Sequence, residues 1–214
     1  MPIQKFKALL WDNDGVLVDT EHLYFEATRA TLARWDIAFT EEQYQELFLR
    51  QGTGTRYFVA QHGWSDEDFA RFRGERGAAY SALLREGVRL IDGVADVLAG
   101  VHGRYIMGIV TSSQQEHFDL IHASSGLLQY FQFVLAAGDY ANLKPHPEPY
   151  LKGLARTGVA PQDCLVIEDS ERGLAAATAA GLRCVIVPSR LTAGAEFRGA
   201  HRVLRDIREL PALL

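Results

Sequence analysis

The run LLWDNDGVLVDT, residues 9–20, sets three aspartates into a segment that otherwise reads as a buried strand. A carboxylate buried without a partner either costs several kcal/mol or gives up its charge. Asp12 and Asp14 therefore require a compensating cation or a wet cleft, and the rest of the chain has to supply it.

Five short runs share the character of this one: KALLW (7–11), YIMGIV (105–110), FVLAA (133–137), CLVIE (164–168) and RCVIVP (183–188). Each is apolar on both faces, the pattern of central parallel strands covered by helices. Between the later runs lie QEHFDLIHASSG, PEPYLKGLARTG and ERGLAAATAAG, helix-length segments that each close on a glycine suited to ending a helix. This β-α-β repetition predicts an α/β fold with a doubly wound parallel sheet. The small-residue run AAATAAG reads as close packing of a helix on that sheet.

The first two strands are separated by a long stretch, Glu21 to Arg89, with helical patterns and no convincing strand. HLYFEATRATLARW carries apolar residues at helical spacing, EEQYQELFLRQ follows Thr40 as an N-cap, and SDEDFARFRGERGAAYSALL opens on Ser65 with acids in its first turn. Glycines 52, 54, 63, 87 and 93 mark the turns. The expected organisation is a core of residues 1–19 and 90–214, with a helical domain of residues 20–89 inserted in it.

Composition narrows the function classes. Of 214 residues, 48% are hydrophobic, enough for a packed core, and the 23% that are charged form no long run of one sign. A net charge of -5 argues against nucleic acid as a partner. No apolar run approaches the ~20 residues of a membrane span, and the start of the chain reaches Asp12 before a signal-peptide core has formed. Cys164 and Cys184 sit in apolar runs and read as buried, reduced thiols. The expectation is a cytoplasmic monomer. The seven histidines have no metal-ligand spacing, and none is assigned a catalytic role.

Ligands of doubly wound sheets bind beyond the carboxyl ends of the strands. There the sequence delivers Asp12 and Asp14, then Thr111 and Ser112, then Glu168, Asp169 and Ser170, with Lys144 arriving in ANLKPHPEPY. Acids, a hydroxyl pair and a lysine are the inventory for a hard cation and an anionic, oxygen-rich ligand. Asp19 and Thr20 read as structural, capping the first inserted helix. Asn13 is expected to point away from the aspartate pair, as alternation along a strand requires.

In this order, WDNDGVLVDT, IVTSS, LKPHPEPY and VIEDSERG resemble the four motifs of the haloacid dehalogenase superfamily, in the branch of β-phosphoglucomutase-like phosphatases with a helical cap. The resemblance covers essentially the whole chain and implies a Rossmann-like core with residues 20–89 as the cap. It implies Asp12 as the nucleophile that forms an aspartyl-phosphate and Asp14 as general acid and base. It implies Mg²⁺ held by the Asp12 side chain, the Asp14 backbone carbonyl and Asp169, with Glu168 acting through water. Thr111 and Ser112 match the phosphate-holding turn, and Lys144 the lysine that offsets the charge of nucleophile and phosphate.

Substrate choice falls to the cap. Arg56 matches a cap-loop arginine that reaches the distal group of the substrate, and its guanidinium fork suits a second phosphate or a carboxylate. Two positions depart from the sugar-phosphate mutases: Tyr24 stands where they carry a histidine, and Gln114 roughly where they carry a lysine. The sequence therefore predicts a Mg²⁺-dependent phosphatase of a small phosphorylated metabolite, such as a sugar phosphate, a bisphosphate or phosphoglycolate. A β-phosphoglucomutase-like isomerase and a non-catalytic phosphometabolite-binding protein are the alternatives.

Overall fold

A computed structural model describes residues 6–214. The first five residues, assigned above to the core and read for a signal peptide, lie outside the described residues. Strands β1 (Ala8–Trp11), β2 (Ile106–Gln114), β3 (Phe133–Ala137), β4 (Cys164–Glu168), β5 (Arg183–Ile186) and β6 (Arg202–Val203) form one sheet in the order β3-β2-β1-β4-β5-β6. Every pairing is parallel. The order reverses beside β1, so the aspartate-bearing strand lies at the switch point where such sheets hold ligands.

Alternation along the strands explains why the runs are apolar throughout. Leu9, Trp11, Met107, Ile109, Leu165 and Ile167 enter one core cluster. Ala8, Leu10, Val110, Cys164, Val166 and Ile186 enter the cluster on the opposite face. Helices α5 (Val94–Val101), α6 (Gln115–His122), α7 (Glu148–Thr157) and α8 (Glu171–Ala179) follow the inserted segment, and the close approach of α7 is visible at Gly153, where a Cβ would lie 3.0 Å from Leu10 and Val110.

Between β1 and β2 come α1 (Glu21–Ala33), α2 (Glu41–Tyr44), a π-helical turn (Gln45–Arg50), α3 (Arg56–His62) and α4 (Asp66–Glu86). Thr40 and Ser65 each cap their helix in a reciprocal capping box. The insert has its own core, built on Phe25, Phe39, Tyr44, Phe48, Phe58 and Phe72. Ion pairs join it to the sheet side: Arg50 to Glu171 at 2.7 Å and Arg190 to Glu41 at 2.9 Å. Exposed pairs contribute at most about 1 kcal/mol each, so they orient the insert more than they bind it.

Three readings change. The strand that carries Thr111 runs on to Gln114, with a register shift against β3 after Val110. Helix α2 gives way to the π turn instead of continuing as one α-helix, and this turn aims the chain into the loop of Gly52 to Arg56. The two-residue, exposed β6 was not foreseen, because Arg202-Val203 is too short to carry a strand pattern.

Asn13 does point away from the aspartates. It is fully buried, and its Oδ1 lies 2.8 Å from His122 Nε2, while His122 Nδ1 meets Ser125 Oγ at 2.8 Å. Burial, only partly countered by Asp14, holds His122 down to about 4. The native state therefore keeps this ring neutral where the unfolded chain protonates it, and stability drains away as pH falls from about 6.5 towards 4. Relative to His122→Asn, wild type should lose about 2 kcal/mol of unfolding free energy between pH 7 and pH 5. Urea unfolding at both pH values checks this, and parallel pH profiles would refute it.

Candidate active site

The carboxyl ends of β1, β2 and β4 open into a cavity of about 950 Å³ lined by Asp12, Asp14, Ser112, Ser113, Asp169 and residues of the insert. Lys144 reaches its floor from the loop before α7. Its ammonium donates to Asp12 Oδ1 and Glu168 Oε1, both at 2.7 Å, and to the Val110 carbonyl at 2.9 Å. All three side chains are buried. Burial works against the charge on Lys144, but Asp12 and Glu168 more than offset it and raise its pKa.

Glu168 is saturated with donors. Besides Lys144, Tyr150 OH donates to Oε1 at 2.7 Å, and Oε2 accepts from the Asp169 and Ser170 amides and from Ser170 Oγ. Although burial acts the other way, Lys144 and these bonds hold it below its ordinary value. Gly173 permits the arrangement, since a Cβ there would overlap the Glu168 carboxylate. Glu168 thus serves as an anchor with no oxygen to spare.

Asp12 and Asp169 are the opposite case. Burial, then the charge of Glu168, push Asp12 up to about 7 against the pull of Lys144, and the same two causes lift Asp169 well above the carboxylate range. Asp169 Oδ2 is buried without a hydrogen-bond partner among the described residues. Gly15, at φ 81°, leaves the space above that oxygen clear, because any side chain there would strike it. Oxygens of Asp12, Glu168 and Asp169 lie within 4.8 Å of one another. With Glu168 saturated, Asp12 and the unpaired oxygen of Asp169 are the carboxylate donors of this cluster left to meet a ligand, and oxygen donors of this kind suit a hard divalent cation.

Asp14 is held quite differently. Thr20 Oγ1 donates to its Oδ1 at 2.5 Å, and Ser113 Oγ and Thr111 Oγ1 donate to Oδ2 at 2.8 and 3.1 Å. Thr111 Oγ1 also accepts from the Ser113 amide at 3.0 Å. Of the Thr111-Ser112 pair, it is Ser112 whose Oγ is buried and unpartnered among the described residues. Thr20 corrects an expectation: it stands at the start of α1 but makes no side-chain cap, because its hydroxyl turns to Asp14 instead. Ser113 was passed over. Its signal was a second serine in TSS on a strand, where alternate residues face the same side.

The insert supplies the opposite wall. Arg56, Tyr24 and Gln114 all line the cavity; Arg56 and Gln114 are exposed there, and Tyr24 is half-buried. The Tyr24 ring stacks edge-on to Tyr80 at 5.0 Å and carries the Arg76 guanidinium over its face at 4.9 Å. Glu21 was also missed. It accepts a short hydrogen bond from Tyr44 OH, and burial with the charge of Asp14 raises its carboxyl to about 7.

Residues 9–187 match the sequence model of the haloacid dehalogenase-like hydrolases. The chain is 32% identical over 216 residues to Protein CbbY of Rhodobacter capsulatus, covering 95% of this chain and 94% of that one. It is 29% identical over 187 residues to Fructose-1-phosphate phosphatase YqaB of Escherichia coli, covering 86% of this chain and 97% of that one. The crystal structure of CbbY from Rhodobacter sphaeroides in complex with xylulose-(1,5)bisphosphate is similar, with a TM-score of 0.83, 29% identity and 96% of each chain covered.

Proposed function

Because this chain belongs to the haloacid dehalogenase-like hydrolases, we propose that it is a Mg²⁺-dependent phosphatase that hydrolyses a small sugar phosphate or bisphosphate through an aspartyl-phosphate. One observation carries the reading. Asp12 is pinned to Lys144 at 2.7 Å while Asp14, two residues on, is held by three hydroxyls in the same cavity. The two acids have environments that suit opposite tasks. The names of the relatives, two of them sugar-phosphate phosphatases or a bisphosphate complex, support the substrate class.

In this mechanism Asp12 attacks phosphorus, forming a P–O bond to its carboxylate as the ester P–O bond breaks. Asp14 gives its proton to the departing oxygen, then takes one from the water that attacks the aspartyl-phosphate and releases inorganic phosphate. Lys144 fixes the orientation of the Asp12 carboxylate, Glu168 fixes Lys144, and the Ser112 backbone amide donates to a phosphoryl oxygen. Asp12, Asp169 and the Asp14 carbonyl would hold the cation, which supplies positive charge to the phosphoryl oxygens when bound. Residues 20–89 act as the cap, and Arg56 meets the distal group of the substrate.

The mutase alternative needs a group near the cap that controls when the general base engages. Tyr24 has no imidazole to offer, and its ring is already committed to Tyr80 and Arg76. A screen of phosphorylated metabolites, β-glucose 1-phosphate with a bisphosphate primer among them, should give inorganic phosphate with Mg²⁺ and none in chelator. Full turnover by metal-free protein would overturn the cation requirement. Accumulation of glucose 6-phosphate with little free phosphate would replace the hydrolase by the isomerase.

A further inference from the structure

Five arginines line the cavity: Arg56, Arg73, Arg76, Arg85 and Arg172. Four come from the insert, and Arg172 alone comes from the core, in the first turn of α8. Arg76 is occupied, donating to Thr55 Oγ1 at 2.5 Å and lying over the Tyr24 ring. Arg73 lies over Phe69 at 5.7 Å. Arg172 has no such engagement. Its neighbour Glu171 pairs with Arg50, but Arg172 itself makes no hydrogen bond or ion pair among the described residues, and its Nε is shut away from solvent without a partner.

Two things hold it there. Its stem packs under the cap loop at Gly52, where a Cβ would sit 3.2 Å from Arg172 Cδ and 3.1 Å from Pro145 Cδ. Its charge sits in the field of Glu21, Asp12 and Glu168, which more than offset burial and raise its pKa. A guanidinium left with unused donors beside a reaction centre carries a desolvation cost that a ligand oxygen would relieve. Lys144 already serves the transferring end, so Arg172 is a cation in excess of what Asp12 needs.

We propose that Arg172 is a specificity-determining residue that binds a second anionic group of the substrate in the cavity that Arg56 also lines. The substrate class is then a small phosphate ester bearing a further phosphate or carboxylate on its leaving-group side. The planar fork of a guanidinium matches either anion in bidentate fashion. This rests on the phosphatase reading above and narrows it.

The test uses full-length protein with Mg²⁺ and p-nitrophenyl phosphate as a generic ester, inhibited competitively by fructose 1-phosphate or fructose 1,6-bisphosphate. Wild type should bind the bisphosphate at least about tenfold tighter than the monophosphate. Arg172→Met should abolish that preference, and Arg172→Lys should restore part of it. The ratio is read within each variant, so a general loss of activity does not mimic the effect, and the lysine variant serves if methionine impairs folding. Equal inhibition constants in wild type, or a preference that persists in Arg172→Met, would overturn the assignment while leaving the phosphatase reading intact. Failure of wild type to hydrolyse p-nitrophenyl phosphate would overturn that reading, and this inference with it.

Discussion

Asp12→Asn should lower turnover by at least about 10⁴-fold and leave no phosphoenzyme to trap, whatever the substrate. The amide has nearly the shape of the carboxylate and still sits 8% exposed above Lys144, yet it cannot form the acyl phosphate bond. Asp14→Asn removes a different step. Its effect should be smaller, about 10²–10⁴-fold on an alkyl ester, the range for a lost general acid and base. With a reactive aryl phosphate, whose leaving group needs no proton, Asp14→Asn should accumulate phosphoenzyme because the attacking water has lost its base. Rapid quench and intact-mass measurement on both variants separates the roles. A phosphoenzyme in Asp12→Asn, or none in Asp14→Asn, would reverse or dissolve the assignment.

Lys144→Met should cost about 3–5 kcal/mol of stability as well as activity, the usual consequence of removing one partner from a buried ion cluster. The ammonium is the shared donor to Asp12 and Glu168, whose side chains are 11% and 0% exposed. Without it, two largely buried carboxylates remain at the floor of the cavity with no cation between them. Adding Glu168→Gln to the variant removes one of those charges, so the double variant should be more stable than Lys144→Met alone. Urea unfolding of the three proteins reads both effects. If Lys144→Met matched wild type, or if Glu168→Gln made it worse, the charge account of the cluster would be wrong.

Much of the sheet was legible in the chain itself. The strands at 133–137 and 164–168 lie where their apolar runs stand; the second is buried at every position, and the first is a partly buried edge strand whose ends still follow its apolar run. The glycines at 52, 54, 63, 87 and 93 all take positive φ, the conformation that marked them as turns. Boundaries were lost where a segment's fate depends on its partner strand. The extension of β2 to Gln114 follows its pairing with β3, and β6 exists only through pairing with β5.

Within the site, residue types and their arrival at strand ends were sequence-determined: parallel strands of one direction must deliver their carboxyl ends to one edge, which brings Asp12, Thr111 and Glu168 together. Which oxygen stays free was decided by the tertiary structure alone. Thr111 and Thr20 spend their hydroxyls on Asp14 and Glu168 is saturated, while Asp169 Oδ2 finds no partner among the described residues. Arg172 was unreadable for the same reason. In the sequence it is an arginine at the start of a helix, with an acid beside it. Only the fold turns Glu171 towards Arg50, lays Gly52 across the arginine stem and leaves the buried Nε of Arg172 without a partner among the described residues. Spacing along a chain fixes what a segment can bury, but the pairing of polar atoms is settled by distances of a few ångströms between segments far apart in sequence, and those distances arise only when the insert and the sheet pack together.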